Sequence, residues 1–184
     1  MHNTSMKNTD MQRCNLSFSD FSGVDFSFAK FRGAQIIDSY LCNCNLTHAN
    51  LCDADLSDAD FENADLSEAD LRCSIAENAV FTNADMTSAD LRGTYLTHAG
   101  LFKAKLYKVK ANQDTFNAAL FDPSDWEKWD IEYSDSLDMG DSIALERSRL
   151  EDLMEIDYGV WADVSELETF RELCEKCEEL DRDY

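Results

Sequence analysis

The chain of 184 residues is poor in residues that break regular structure, with one proline (Pro123) and six glycines. It has three histidines, and only 16 Lys and Arg against 38 Asp and Glu, a formal net charge of −22. With no basic surplus to neutralise phosphates, direct nucleic-acid binding is not expected, nor is adhesion to anionic lipid. No apolar run approaches the roughly 18 residues of a membrane span. Met1–Arg13 also lacks the apolar core of a signal peptide, so the expected compartment is the cytoplasm. Glycine-rich phosphate loops, nucleophile elbows and HExxH helices are missing. What the chain does have is 44% apolar residues, enough to build a packed core.

The negative charge is unevenly spread. Residues 1–13 carry one acid and two bases, and 14–121 carry 15 acids and 8 bases. Residues 122–184 carry 22 acids and 6 bases, a net of −16. Pro123 stands at that last boundary. Three segments follow: an N-terminal strand or tail (1–13), a central region (14–121), and an acidic C-terminal region (122–184).

The central region repeats every five residues. Leu16, Phe21, Phe26, Phe31, Ile36, Leu41, Leu46 and Leu51 begin a series that runs on through Leu101, Leu106, Phe116 and Phe121. Two residues before each large side chain sits a small one, most often alanine, as at Ala49, Ala54, Ala59, Ala64 and Ala69. A period of five fits neither a helix, at 3.6, nor a strand, at 2.0. It fits a chain that turns a corner every five residues and points one large and one small side chain inward each time. Each coil then buries its core only against its neighbours, which makes the region a solenoid.

The run Ala-Asp-Leu-Ser-Asp, Ala-Asp-Phe-Glu-Asn, Ala-Asp-Leu-Ser-Glu, Ala-Asp-Leu-Arg-Cys at 54–73 closely resembles the pentapeptide-repeat family. The resemblance covers 14–121. It implies an all-β fold, a right-handed quadrilateral β-helix with four pentapeptides per coil, and no catalysis. About 22 units make five to six coils, and strands stacked ~4.8 Å apart give a solenoid about 26 Å long.

With four units per coil, residues twenty apart stack on one face. Asp53, Asp55, Asp58, Asp60, Glu62, Asp65, Glu68 and Asp70 then form an acidic belt around one coil, with no base between them. Asp85 and Asp90 extend two of its columns, and together these ten acids are the candidate interaction surface. Asp70 with Arg72 and Asp90 with Arg92 are placed to form an exposed charge lattice. Near the end of the repeats the sign flips at Lys103, Lys105, Lys108 and Lys110. These lysines have two readings, a solubilising edge that discourages strand addition or a dock for the acidic tail that follows.

No metal or cofactor site is expected. His48 and His98 fall two corners apart, and Asp53-Ala-Asp55-Leu-Ser57 has Asp58 and Ala64 where a calcium loop needs Gly and Glu. Cys174-x-x-Cys177 stands without a second pair. Cys14 and Cys44 are expected as core fillers, while Cys42, Cys52 and Cys73 are expected to be exposed, which with seven cysteines suits a reducing compartment.

Past 121 helical signals take over. Asp122-Pro123 reads as an N-cap and first turn. Trp126, Trp129 and Tyr133 then lie along one side of a short helix, as an end cap over the last coil. Ile143, Leu150, Leu153 and Met154, and then the capping box Ser165-Glu166-Leu167-Glu168 with its apolar stripe, predict an αα-hairpin. That region either caps the solenoid or provides a surface for dimerisation or partner docking.

Two functions follow. The first is a non-catalytic, anionic protein-interaction scaffold whose partner is a protein with a basic surface. The second, implied by the resemblance, is a DNA mimic that inhibits or protects DNA gyrase, another topoisomerase or another DNA-binding protein. Duplex DNA carries about 15 charges over ~26 Å. The solenoid carries 15 acids but a net of only −7, so the scaffold is the leading expectation.

Overall fold

The computed structural model describes residues 4–126 and 128–133. The chain divides into two units, Met1–Leu137 and Asp138–Tyr184, and every described residue belongs to the first. The expected αα-hairpin and the Cys174/Cys177 pair lie outside the described residues.

The fold is a four-sided β-helix. Its isolated parallel bridges each join residues twenty apart, from Ser5↔Asp25 to Gly100↔Leu120. One turn of the solenoid is therefore four pentapeptides, and the four faces are named here by the bridge positions of the first coil, Ser5, Asp10, Asn15 and Asp20. The bridging series starts at Ser5, so residues 4–13 continue the repeat.

Each corner follows from local backbone chemistry. The N–H of the small residue bonds back to the carbonyl of the large residue three positions earlier, as in Ala29 to Phe26 (2.9 Å) and Ala34 to Phe31 (2.8 Å). That bond closes a β-turn whose second central residue has positive φ, as type II turns require. Every fifth residue from Asn8 to Asn83, among them Asp58 (φ 58°), Asn63 (58°) and Asn78 (55°), takes that left-handed conformation. Asparagine and aspartate tolerate it better than other non-glycine residues and fill half of these corners from Asn8 to Asn83, while Arg13, Phe18, Phe28, His48, Glu68 and Cys73 are held there against their preference.

The interior is filled. Phe26, Phe61, Phe81, Leu46, Leu56, Leu66 and Met86 are fully buried, and Ala54, Ala59 and Ala84 beside them leave room for the backbone to close. Phe61 and Phe81, twenty apart, stack nearly parallel at 5.0 Å, whereas Phe21, Phe26 and Phe31 meet edge to face around the coil at 5.5 and 5.2 Å. At three small slots that hold a polar residue, the side chain reaches a carbonyl 23 positions back. Ser39 Oγ bonds Leu16 O at 3.0 Å, Cys44 Sγ bonds Phe21 O at 3.0 Å, and Thr94 Oγ1 bonds Leu71 O at 2.7 Å.

The last coil ends in strand β1 (Tyr107–Ala111), followed by a four-residue helix α1 (Pro123–Trp126) and strand β2 (Asp130–Tyr133), which pairs in parallel with β1. Asp122 caps α1 by accepting the Ser124 N–H at 2.8 Å. The expectation of one helix carrying Trp126, Trp129 and Tyr133 is corrected here. The helix stops at Trp126 because residues 130–133 have a better use for their backbone groups, which is to pair with the open edge of β1. Asp130 N–H, for instance, bonds Leu106 O at 2.9 Å.

Candidate functional site

The outward residues of the flat faces are positioned by their own backbone. An Asp or Asn at a bridge position accepts the N–H two residues on, as Asp25 does from Ser27 (3.1 Å), Asp60 from Glu62 (2.9 Å) and Asp65 from Ser67 (3.0 Å). This is the Asx-turn. It fixes each carboxylate against its face and opens the corner that follows, so the motif that folds the coil also sets out its charge.

The belt survives as a coil but not as a uniform ring. Asp53 is buried and accepts Arg32 Nε at 3.0 Å from the preceding coil. Asp70 takes two bonds from Arg72, both 2.9 Å, and Glu68 lies 3.4 Å from His48 Nδ1, whose ring stacks on Phe28 at 4.7 Å. Asp55 and Asp65 are half-buried on their faces. Asp58 and Glu62 are exposed, Asp60 is half-buried, and none of the three forms an ion pair among the described residues. Asp38 stands in register with Asp58 at the same corner, and Glu77 beside them stacks above Ser57. Of the acids without an ion pair among the described residues, Asp38, Asp58 and Glu77 share the corner between the third and fourth faces, Asp60 lies on the fourth face beside it, and Glu62 stands at the corner that follows. Asp38 and Glu77 escaped the sequence reading, which followed a linear run of acids. The signal that finds them is the twenty-residue stacking of 38 on 58 and of 57 under 77.

The two outlying candidates are neutralised. Lys105 Nζ bonds Asp85 at 2.7 Å, and Arg92 bonds Asp90 through Nε at 2.9 Å and its terminal nitrogen at 2.7 Å. Partial burial works to raise both carboxyl pKa values. The hydrogen bonds outweigh it, from Lys105 and Thr87 to Asp85 and from Arg92 to Asp90, and hold both below the ordinary range.

Acids that follow the repeats settle against the lysine-bearing coil. The Lys103 N–H bonds buried Asp125 at 3.0 Å, and Lys128 Nζ closes on the same carboxylate at 2.9 Å. In the β1–β2 register Lys110 partners Glu132, while Lys108 Nζ lies 5.4 Å from the centre of the Tyr107 ring. Trp129 packs on Phe121 (4.9 Å) and Phe116 (5.7 Å) and donates Nε1–H to Ala104 O at 3.2 Å. Tyr133 ends β2, half-exposed, with burial raising its pKa.

The cysteines correct four expectations. Cys52 and Cys73 are buried rather than exposed, and Cys42 is half-buried. Cys52 lies in a column between Arg32 and Arg72; burial and the neighbouring Asp53 push its thiol up to about 12. Burial raises Cys42 to about 11, with Asp60 adding to it, and raises Cys44 to about 11. Such thiols stay protonated and weakly reactive at neutral pH. Cys14, expected as core filler, is exposed because it belongs to the first described coil, with no described residue beneath it. Among the described residues no group of three His, Cys, Asp or Glu is placed to hold a metal ion, and no helix is long and apolar enough to cross a membrane.

Comparison with protein families matches the chain to pentapeptide repeats in eight copies, over residues 1–35, 34–72 and 64–101. The chain is a pentapeptide-repeat protein. Members of the family fold as a right-handed quadrilateral β-helix and are generally structural or interaction proteins without catalysis. Among solved structures it is similar to a pentapeptide-repeat protein of the Arabidopsis thaliana thylakoid lumen, at 26% identity over 56% of this chain and 68% of that one, with a TM-score of 0.41. It is also similar to one from the cyanobacterium Cyanothece 51142, at 22% identity over 64% and 91%, TM-score 0.41. A third is full-length QnrB1, a plasmid-mediated fluoroquinolone resistance protein, at 18% identity over 84% and 98%, TM-score 0.33. A search of curated proteins returns no match.

Proposed function

We propose that this pentapeptide-repeat protein is a non-catalytic interaction scaffold that presents an anionic corner to a protein partner with a basic surface. The observation that carries the reading is Asp38, Asp58 and Glu77 at one corner with Asp60 and Glu62 running on from it along the adjoining face, five acids with no ion pair among the described residues, on a backbone fixed by stacked coils. A rigid charged patch loses little conformational entropy when it is bound, and it steers a complementary partner towards it. The non-catalytic reading is supported by a core of Phe, Leu and Ala that leaves the interior no room for a substrate. The free thiols at Cys14, Cys42, Cys44, Cys52 and Cys73 support a reducing, cytoplasmic setting.

The test is capture of basic proteins from a lysate by the full chain and by a triple variant, Asp58→Lys with Asp60→Lys and Glu62→Lys. The wild-type complex weakens as salt is raised, and the variant loses it. Equal capture by both proteins, or binding indifferent to salt, sinks the proposal.

The DNA-mimic reading needs two acidic tracks along the solenoid. The neutralisation of Asp25 by Lys7, Asp70 by Arg72, Asp85 by Lys105 and Asp90 by Arg92 weighs against it, since it interrupts the columns of the first and second faces. A gyrase supercoiling assay with and without quinolone separates the two. Inhibition of supercoiling or protection of the enzyme at micromolar protein favours mimicry over the scaffold.

A further inference from the structure

The first coil pairs on one side only. Ser5, Asp10, Asn15 and Asp20 bridge forward to Asp25, Lys30, Gln35 and Tyr40 and, among the described residues, to nothing behind them. One coil later the pairing is double, with Asp25 N–H bonded to Thr4 O at 3.0 Å and Asp25 O accepting Met6 N–H at 2.7 Å. In the first coil the N–H groups of Asp10, Asn15 and Asp20, and the carbonyls of Ser5, Asp10, Asn15 and Asp20, make no backbone hydrogen bond among the described residues. Their counterparts in the next coil point those groups at the coil before, so here they point away from the described coils.

Inside that frame no described residue covers the core. Met6, Met11, Leu16 and Phe21 are only partly buried, whereas Phe26, Phe31, Ile36 and Leu41, which stack above them, are at most 1% exposed. Phe18, at 79% exposure, stands at the rim. The other end of the solenoid is treated differently, with β2 paired to β1 and Trp129 packed over Phe116 and Phe121.

The shape and charge of this end select its occupant. An extended peptide can pair with one side of the square and leaves the apolar centre open. A second first coil offers four matching strand edges and an apolar centre together. The charge agrees, because residues 4–23 hold Lys7 and Arg13 against Asp10 and Asp20, a net of zero in a chain of −22. Two copies of an acidic protein can approach here without mutual repulsion. We propose that the protein self-associates through its first coil. The two copies are related by a two-fold axis perpendicular to the solenoid, so that the open edges pair across the contact and the apolar residues close on one another. This goes beyond the scaffold reading and makes the scaffold bivalent, with one acidic corner per copy left uncovered.

Sedimentation velocity of the full chain up to about 100 μM reads the association, which is concentration-dependent. The wild type sediments as a dimer, with little dependence on salt because the contact is neutral; partner capture at the acidic corner weakens with salt, so the two proposals fail separately. Leu16→Lys places a charge in the apolar centre, and Asn15→Pro removes an N–H that a single copy does not use, together with the Asn15 Oδ1 that accepts the Ser17 N–H at 3.0 Å. Each weakens the dimer about tenfold or more, and far-UV circular dichroism checks that the fold is kept. Leu120→Lys, at an exposed position towards the other end, leaves the dimer unchanged. A monomer at the highest concentration overturns the proposal and leaves the open coil to a different chain. Dimerisation of wild-type strength in whichever of the two variants folds also overturns it, and moves the contact elsewhere.

Discussion

Ser74 and Ser39 occupy the same slot of the repeat and should respond to the same substitution with opposite sign. Both are buried, at 0% and 1% exposure. Ser39 Oγ donates to Leu16 O at 3.0 Å and accepts the Ser19 N–H at 3.3 Å. Ser74 Oγ has no hydrogen-bond partner. A hydroxyl buried without a partner costs about 1–3 kcal/mol, and alanine is the usual occupant of this slot, as at Ala54, Ala79 and Ala99 around it. Ser74→Ala removes the orphan and leaves a gap of one oxygen atom, so the net expectation is a gain of about 1 kcal/mol. Ser39→Ala instead strands a carbonyl and an amide and costs about 1 kcal/mol. Thermal unfolding followed by circular dichroism reads the difference, at about 3–5 °C per kcal/mol for a unit of this size. Loss of stability in Ser74→Ala would refute the reasoning. It would mean that in solution the hydroxyl reaches Leu51 O, 23 positions back, in the manner of Cys44 and Thr94.

Three other outcomes are expected. Asn78, exposed at a corner with φ 55°, should tolerate glycine within about 0.5 kcal/mol, while Asn78→Val costs ~2 kcal/mol because a β-branched residue resists the left-handed region. Valine at the neighbouring Glu77 serves as the control in chemical denaturation, and equal effects at 77 and 78 would count against the corner argument. Asp90→Asn should destabilise at neutral pH by about 1 kcal/mol, discounted for partial exposure. Since the folded pKa of Asp90 is depressed, its contribution is present above the unfolded value of about 3.9 and lost as pH falls through the lower folded value. Wild type and variant therefore converge in stability below about pH 4, and a gap that persists in acid would assign the effect to packing. Trp129→Ala removes the cap's indole and its bond to Ala104 O, costing about 3 kcal/mol and exposing the last coil, which increased light scattering on warming would report.

The architecture of the solenoid was legible in the chain because a period of five leaves little freedom. A large and a small inward residue, a turn and an outward residue recur without an insertion, so the face and coil of nearly every residue from Leu16 to Leu106 could be assigned by counting. The same counting placed the belt and paired Asp70 with Arg72 and Asp90 with Arg92, because those partners are two residues apart on one face. What counting could not supply was contact between coils. Arg32 reaching Asp53, Lys105 reaching Asp85 and His48 lying against Glu68 depend on side-chain reach across a strand spacing. Those contacts decide which acids stay unneutralised, and so turned a belt into a corner.

The ends were also decided by tertiary structure. A repeat pattern is the same for a first coil and a middle one, so Cys14 and Leu16 read as core, and only the absence of a described coil beneath them leaves one exposed and the other partly so. Residues 130–133 continued a helical pattern until the open edge of β1 offered their amides partners. The physical reason is the same in both places. A solenoid's local sequence specifies how each coil turns, whereas the environment of its end coils is set by whatever stacks on them, and one coil's own residues do not encode that.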